Sequence, residues 1–215
     1  IQLCLGAIYA WSVFTKALTA APFSFSKTQT QIVFSIALAT FAVMTIVAGR
    51  WQAKVGPTRV VRIGGLLLAM GYVLARFADT SYPGLVLAIG IVGGAGIGLA
   101  YVVPIAVGVK WFPDKKGLIT GLAVAGFGFG AMLWVKLASE WGHLLATMDL
   151  GGTVLIYGII FLVAVVIGGF WMVFPPKGWL PRGYKPPIAC DAKDGGTGAD
   201  EYSSSQMLAT PQFYM

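Results

Sequence analysis

Six long apolar stretches, separated by short polar gaps, run along this chain. They extend over Ile1–Phe14, Ile32–Gly49, Ile63–Ala78, Leu85–Val109, Leu118–Leu137 and Thr153–Phe174. Each stretch is continuously apolar, whereas a membrane barrel strand alternates apolar and polar positions. A helix needs about 20 mostly apolar residues to cross the hydrocarbon core, and stretches two to six reach or nearly reach that length. The pattern therefore predicts an all-α membrane protein with six transmembrane helices, the first of them truncated.

Basic residues are concentrated in every second gap. The gaps after the second, fourth and sixth stretches hold eleven of the fifteen lysines and arginines. These eleven are Arg50, Lys54, Arg59, Arg62, Lys110, Lys115, Lys116, Lys177, Arg182, Lys185 and Lys193. Short loops rich in lysine and arginine stay on the cytoplasmic side of a membrane. We therefore expect a multi-pass protein of the cell (inner) membrane whose amino terminus and basic gaps are cytoplasmic.

The composition excludes several functional classes. The chain of 215 residues is 57% hydrophobic and 11% charged, whereas a soluble domain is about 25% charged. The net charge of +7 is explained by the membrane topology, and no basic patch interleaved with aromatic residues predicts nucleic-acid binding. Cys4 and Cys190 lack metal-ligand spacing, and no catalytic Ser/His/Asp arrangement is present. We predict no metal, no cofactor and no enzymatic activity.

The end of the chain has a different composition from the apolar stretches. Five prolines lie between Pro175 and Pro187 and end the sixth helix, and residues 191–205 are rich in Gly, Asp and Ser, as linkers are. Apolar character returns after Gln206. We predict a six-helix bundle over 1–174, a cytoplasmic central loop over 175–206 and the start of a carboxy-terminal half at 207–215. The alternative is a complete six-helix protein.

Glycines are frequent in the fourth and fifth stretches. Glycine-rich loops bind phosphate only beside a helix N-terminus that water can reach, and these glycines lie at membrane depth. Small residues four positions apart instead let membrane helices pack closely. The pairs with this spacing are Gly94 and Gly98, Gly117 and Gly121, and Gly126 and Gly130. We interpret them as helix-packing positions.

Four segments resemble a known family. Lys110–Gly117 (KWFPDKKG) and Ala125–Gly130 (AGFGFG) resemble the loop and fifth helix of the oxalate/formate antiporter family, which belongs to the major facilitator superfamily. Gly6–Phe14 (GAIYAWSVF) is similar to its first helix, and Met207–Phe213 (MLATPQF) to the segment that leads into its seventh. The resemblance implies the amino-terminal six-helix bundle of a twelve-helix secondary transporter. Such a protein would move small organic anions, mono- or dicarboxylates such as oxalate, formate, pyruvate or lactate, by alternating access.

A loop signature of the superfamily is altered in this chain. Residues 49–59 (GRWQAKVGPTR) resemble the loop between helices two and three, but Ala53 occupies the usual position of an aspartate that helps to latch the cytoplasmic side. The gating and loop residues implied by the resemblance are Gly49, Lys54, Gly56, Arg59, Asp114 and Lys115. An alternative role for Lys54 and Arg59 is only to set the topology at the lipid surface.

The resemblance also implies which residues contact or gate substrate. Tyr9, Gln31 and Tyr101 coincide with such positions, and Phe127 stands where a tyrosine is common. Tyr9 and Tyr101 are alternatively packing residues, and Gln31 an interfacial polar residue. Trp11 belongs either to the aromatic belt at the outer interface or to the rim of the substrate cavity.

Anion transport requires a cationic group, because a desolvated carboxylate without partners is costly. No stretch carries lysine or arginine near its centre, and Arg76 and Lys136 are expected to extend to the interface. By resemblance, the missing carboxy-terminal half supplies the countercharge. The partners implied are thus a small carboxylate, the lipid bilayer and that half. Ile8, where oxalate transporters tend to have glutamine, and Phe127 suggest a substrate less polar than oxalate. The competing interpretation is an oligomeric six-helix channel or structural membrane protein.

Overall fold

The fold was examined in a computed structural model, which describes residues 1–21, 23–78, 80–176 and 178–181. The predicted start of a carboxy-terminal half at 207–215, and the predicted central loop beyond Pro181, lie outside the described residues.

The described chain is helical, and no strand occurs within it. The first apolar stretch forms α1 (Gln2–Leu5), a 3₁₀ helix (Gly6–Ala10) and α2 (Trp11–Thr19). Next come α3 (Lys27–Val55), α4 (Pro57–Ala78), α5 (Tyr82–Leu85), a π-helix (Val86–Gly93) and α6 (Gly94–Trp111). A 3₁₀ turn (Pro113–Lys115), α7 (Lys116–Ala138), α8 (Leu144–Thr147) and α9 (Leu150–Gly169) follow.

Five helices among the described residues are long and apolar enough to cross a membrane. They are Lys27–Val55, Pro57–Ala78, Tyr82–Trp111, Pro113–Ala138 and Leu150–Gly169. The prediction of an all-α membrane fold is confirmed, but the first predicted span is not among the five, because its helix is broken by the 3₁₀ stretch. Short 3₁₀ segments of this kind accompany functional hinges or local strain.

Local sequence signals set the helix ends. Ser26 and Gln29 form a capping box at the start of α3, in which the Gln29 N–H donates to the Ser26 hydroxyl and the Ser26 N–H to the Gln29 side chain. Gly56 ends α3 with a φ of 89°, a conformation that favours glycine, and α4 starts at Pro57. Asp149 caps α9 by accepting the Gly152 N–H at 2.7 Å.

Helices α4, α6 and α9 form the centre of the bundle, and α4 packs against both of the others. At the α4–α6 crossing, a Cβ atom on Gly64 would lie 2.8 Å from the backbone nitrogen of Ala100. Only glycine permits this approach of the two backbones. Between α4 and α9, the buried rings of Tyr72 and Phe161 meet edge to face at 5.0 Å. The core thus combines close glycine contacts with large aromatic side chains.

Hydrogen bonds join the ends of α4 and α6 to the segment that follows α9. The Thr58 hydroxyl donates to the Met172 carbonyl at 2.6 Å, and the Trp111 indole N–H donates to the Val173 carbonyl at 2.8 Å. The Lys110 ammonium lies 3.7 Å from the centre of the Phe174 ring. The gaps after the second, fourth and sixth stretches therefore lie at one end of the bundle, as their shared basic character predicts.

Candidate functional site

Five aromatic rings from four separate parts of the bundle meet around Phe127. We call Tyr9, Phe34, Phe41, Tyr101 and Phe127 the aromatic cluster. The centre of the Phe127 ring lies 4.9 Å from that of Tyr101 and 5.4 Å from that of Tyr9, both in edge-to-face geometry. Phe41 stacks on Phe127 at 6.1 Å and meets Tyr101 at 5.2 Å, and Phe34 meets Tyr9 at 6.3 Å. Three of the predicted substrate residues are thus brought together.

Close backbone contacts bring the helices of the cluster together. A Cβ atom on Gly6 would lie 3.0 Å from the Cα of Gly130 and nearer still to the Phe127 carbonyl oxygen. A Cβ atom on Gly98 would lie 2.6 Å from the Phe41 carbonyl oxygen. Glycine at these positions lets the first stretch approach α7 and lets α6 approach α3. As a result the rings of Tyr9 and Tyr101 reach Phe127 from two sides.

A cavity of about 110 Å³ adjoins the cluster on the side of Tyr9. Its lining residues are Tyr9, Trp11, Ser12, Gln31 and Phe34. A space of this size has room for several water molecules. The tyrosine and serine hydroxyls and the Gln31 amide offer both donors and acceptors in a mostly apolar wall, and no basic side chain among the described residues lines the cavity.

Trp11 is inside the bundle rather than at its lipid surface. Its side chain is 8% exposed, and its indole N–H donates to the Thr30 carbonyl at 2.9 Å. A residue of an aromatic belt would face the lipid headgroups. The burial of Trp11 therefore does not fit the belt interpretation, whereas its position in the cavity wall is what a rim residue requires.

The predicted packing glycines differ among themselves. Gly94 contacts α3, where an added Cβ would lie 2.6 Å from the Ala37 carbonyl oxygen, and Gly98 and Gly130 make the contacts described above. Gly126 is less tightly packed, with 3.4 Å from its ideal Cβ to that of Gln2. Within the described structure, nothing lies within 4 Å of an ideal Cβ on Gly117 or Gly121. These two make no helix contact here.

The predicted gating residues lie at the helix ends of the basic gaps. Lys54 and Arg59 are exposed on either side of Gly56, and an ideal Cβ on Gly49 meets no atom within 4 Å. Asp114 and Lys115 are exposed in the 3₁₀ turn before α7.

The positions of Ile8, Arg76 and Lys136 also bear on the sequence-based predictions. Ile8 is buried in the core and lines a small pocket together with Tyr72 and the cluster residue Phe34. Arg76 pairs with Asp149 at 3.7 Å, and Lys136 pairs with Glu140. Extension to the interface is therefore accompanied by ion pairing.

The sequence-based reasoning missed Phe34, Phe41 and Ser12. Phe34 and Phe41 lie seven residues apart on α3, with buried Ala37 between them. This spacing places them on one face of the helix, and it was the available signal. A signal existed for Ser12 as well, because Ser12, Thr15, Lys16 and Thr19 have the spacing of one polar face on α2.

Residues 2–190 match the Major Facilitator Superfamily. The chain is 31% identical, over its whole length, to the uncharacterized MFS-type transporter YhjX of Escherichia coli (strain K12), covering 49% of that protein. It is 27% identical, again over its whole length, to the oxalate:formate antiporter of Oxalobacter formigenes, covering 48%. It is 41% identical over 100 residues, 45% of this chain and 18% of the relative, to apicoplast pyruvate carrier 1 of Toxoplasma gondii. The chain thus spans about half the length of the relatives that it matches throughout.

Proposed function

The chain belongs to the Major Facilitator Superfamily, and from this membership we propose that it is the amino-terminal half of a secondary active transporter for small organic anions. The proposed substrates are mono- or dicarboxylates such as oxalate, formate, pyruvate or lactate, moved by alternating access. The relatives are transporters rather than enzymes, in agreement with the prediction that the chain is not an enzyme.

The observation that carries the proposal is the aromatic cluster with its adjoining cavity. Tyr9, Tyr101 and Phe127 come from three different helical stretches, and the cavity beside Tyr9 adds the polar groups of Ser12 and Gln31. Substrate sites of transporters lie between helices that move relative to one another. A site shared by several helices is suited to such motion, because a displacement of any one of them changes it.

The chemistry of this site favours a carboxylate that has an apolar part. Among the described residues, the cluster presents ring surfaces and the hydroxyls of Tyr9 and Tyr101 but no cation, and the cavity adds the Ser12 hydroxyl and the Gln31 amide. Phe127, at the centre, has no hydroxyl to offer a second carboxylate group. We therefore propose that monocarboxylates are preferred over oxalate. The oxalate:formate antiporter and the pyruvate carrier among the relatives carry substrates of both kinds in their names.

Two helices have faces that a second half would cover. In the most apolar part of α3, and of the helix that includes α7, only 17% of the residues are buried, against 61% for the span that includes α6. The relatives matched throughout are about twice as long as this chain. We propose that a second six-helix half packs against α3 and α7, completes a twelve-helix fold and supplies the cationic group.

The orientation in the membrane is also part of the proposal. The chain belongs to a multi-pass membrane protein, and we assign its basic end, with Lys54, Arg59 and Lys115, to the cytoplasm by the positive-inside rule. On this side, the predicted gating residues lie in two places, around the turn between α3 and α4 and in the 3₁₀ turn before α7. Both turns would have to open and close during transport. The altered loop with Ala53 has no carboxylate for the usual latch, so a different contact has to close that side.

Exchange measurements with the full-length protein in proteoliposomes test the proposal. We expect uptake of radiolabelled pyruvate, lactate or formate to be accelerated by unlabelled carboxylate inside the vesicles, and oxalate to exchange more slowly. Phe127→Ala should reduce exchange at least tenfold, whereas the matched variant Phe77→Ala, at an α4 position that is 80% exposed, should behave as wild type. Absence of exchange for every carboxylate, or flux without acceleration by internal substrate, would overturn the proposal, the second result favouring a channel.

A further inference from the structure

Gln2 connects the first helical stretch to the backbone of α6. Its side chain is 9% exposed, and its amide nitrogen Nε2 donates to the carbonyl oxygen of Tyr101 at 3.0 Å. Tyr101 is the residue whose ring lies 4.9 Å from that of Phe127 in the aromatic cluster. The amide of Gln2 therefore holds the backbone turn that presents a ring to the proposed site.

Pro104 lies one turn after this hydrogen bond. It is within α6, and because proline has no N–H, the carbonyl that loses its helical donor is that of Ala100, four residues earlier. In a membrane, backbone groups near a proline are satisfied by neighbouring helices. The carbonyl that Gln2 bonds is that of the next residue, Tyr101, so Gln2 adds a donor beside Pro104 and does not replace the one that proline lacks.

The neighbour of Gln2 is tied to the opposite side. The Trp134 indole N–H of α7 donates to the carbonyl of Leu3 at 2.7 Å, just before the first stretch changes from α-helix to 3₁₀ helix. Phe127 lies two turns before Trp134 on α7. Helix α1 is thus hydrogen-bonded on one side to the helix of Tyr101 and on the other to the helix of Phe127.

The second polar atom of Gln2 has no partner. Its oxygen Oε1 is buried and accepts no hydrogen bond within the described structure. A buried acceptor without a donor destabilises the folded state, whereas an apolar side chain of the same shape is nearly neutral there. Leucine would therefore fit this position better than glutamine for stability, and the N–H donor to Tyr101 is what glutamine adds.

We propose that Gln2 is a positioning residue of the substrate site, which holds the α6 turn so that the Tyr101 ring stays against Phe127. The inference rests on the proposed function of the aromatic cluster. Gln2 acts on the substrate site only through the position of the Tyr101 ring. Its loss therefore weakens substrate binding more than it slows turnover.

Two variants of the full-length protein separate this role from simple packing. Gln2→Leu keeps the size but removes the donor, and should raise KM for carboxylate exchange about tenfold with little change in the maximal rate. Gln2→Glu can donate only as the neutral acid, so its KM, relative to wild type at the same pH, should approach the wild-type value at pH 5 and exceed it at pH 8. Burial favours the neutral acid and extends the recovery above the usual range of a glutamate.

The matched control is Thr153→Val. Thr153 is likewise buried and donates to a backbone carbonyl, that of Asp149 at 3.1 Å, but it lies on α9, outside the cluster and the gating loops. Its replacement should leave KM unchanged. An unchanged KM in Gln2→Leu, an equal rise in Thr153→Val, or a Gln2→Glu variant whose relative KM does not vary with pH would each overturn the positioning role.

A spectroscopic measurement keeps this test independent of the transport assay. In protein labelled with 1-¹³C-tyrosine, the carbonyl band that Tyr101→Phe removes should move to higher frequency in Gln2→Leu, because a hydrogen bond to that carbonyl is lost. An unmoved band overturns the inference whether or not the protein transports a carboxylate. Absence of transport in the wild type, with a shifted band, removes the proposed function and hence the site that Gln2 is inferred to position.

Discussion

Helices α3 and α7 are as suited to a membrane as α4, α6 and α9, yet the two groups differ in how many of their residues are buried in the bundle. All five spans satisfy the length and apolarity that a bilayer requires, but 44% to 61% of the most apolar window is buried in the central three and 17% in the other two. The buried residues of helix α7 form a single stripe, namely Phe127, Gly130, Trp134 and Ala138.

Apolar sequence and burial are therefore separate properties in this membrane protein. Lipid tails satisfy an apolar face as well as another helix does, so close packing rather than hydrophobicity drives helices together. The central helices meet at glycines, as at Gly64 and Gly96, where the backbones approach. On α7, Gly121 and Gly128 meet no atom within 4 Å of an ideal Cβ in the described structure.

The largest expected effect comes from adding one methyl group at the central crossing. In Gly96→Ala, the new Cβ would lie 2.7 Å from the Gly64 carbonyl oxygen and closer to the Leu68 nitrogen, so two backbones must separate. We expect a loss of about 3 kcal/mol of stability, the upper part of the range for overpacked cores. Thermal unfolding of the full-length protein in detergent measures it.

The control for that substitution is the same change on α7. Within the described structure Gly128→Ala meets no neighbour, and alanine favours a helix over glycine by about 0.5–1 kcal/mol. Its melting temperature should therefore fall less than that of Gly96→Ala, because only a contact with the proposed second half could oppose the gain in helix propensity. Equal losses in the two variants would contradict the division between central and uncovered helices.

The single stripe on α7 can be tested at Trp134. Its N–H donates to the Leu3 carbonyl and its own carbonyl accepts the Tyr157 hydroxyl. Trp134→Phe leaves the Leu3 carbonyl without this donor, which costs about 1–3 kcal/mol. Trp141→Phe, at a position that is 61% exposed, is the matched control and should change the melting temperature little. A comparable loss in both variants would indicate that α7 is not held by this stripe.

The spans and their shared basic end were predictable from the sequence, because each depends on local composition. The capping of α3 by Ser26 and the position of Pro104 within α6 likewise depend on local sequence. Which side of α3 or α7 faces the bundle was not predictable, since these helices are apolar on nearly all sides. For this reason Phe34 and Phe41 were missed, and Gly117 and Gly121 were assigned a packing role that the described structure does not show.

The residues of the proposed site were selected by a different route. Tyr9, Tyr101 and Phe127 were selected by resemblance to a family, and their meeting at one point depends on helix contacts that no spacing in the sequence reveals. The role first considered for Ile8 illustrates the limit: it adjoins Tyr9 in sequence but points into the core. The 3₁₀ geometry of residues Gly6–Ala10 directs the Tyr9 side chain, and not that of Ile8, towards the proposed site.

Phe127 is the buried α7 side chain that lies in the aromatic cluster, so a substitution there tests the specificity of the proposed site. Phe127→Tyr adds a hydroxyl beside Tyr9 and Tyr101. A new hydrogen-bond donor in an apolar wall should favour oxalate over pyruvate by roughly tenfold, about 1.4 kcal/mol, in the ratio of their exchange efficiencies. Competition uptake in proteoliposomes measures this ratio, with Phe77→Tyr on α4 as control. An unchanged ratio in Phe127→Tyr would separate the cluster from substrate selection.

The smallest effects are expected at the outer ends of the two groups, where ion pairs are exposed to water. Asp149 links α9 to Arg76 of α4, whereas Glu140 pairs with Lys136 one turn before it, at the end of α7. Asp149→Asn keeps the cap on the Gly152 N–H but removes the charge, and Glu140→Gln removes a pair of the i,i+4 kind. Each should cost about 0.5 kcal/mol or less, and less still in high salt, because exposed pairs are worth little.

Asp149→Ala sharpens the same measurement, because it removes the cap as well as the charge. The start of α9 then has an N–H group without its acceptor, and the loss should reach about 1 kcal/mol, with a part that salt does not change. Thermal unfolding at low and high salt separates the two parts. If Asp149→Ala and Asp149→Asn are equally destabilising, the carboxylate acts at this end of the bundle through its charge and not through the cap, and the start of α9 must be held by its packing on α4.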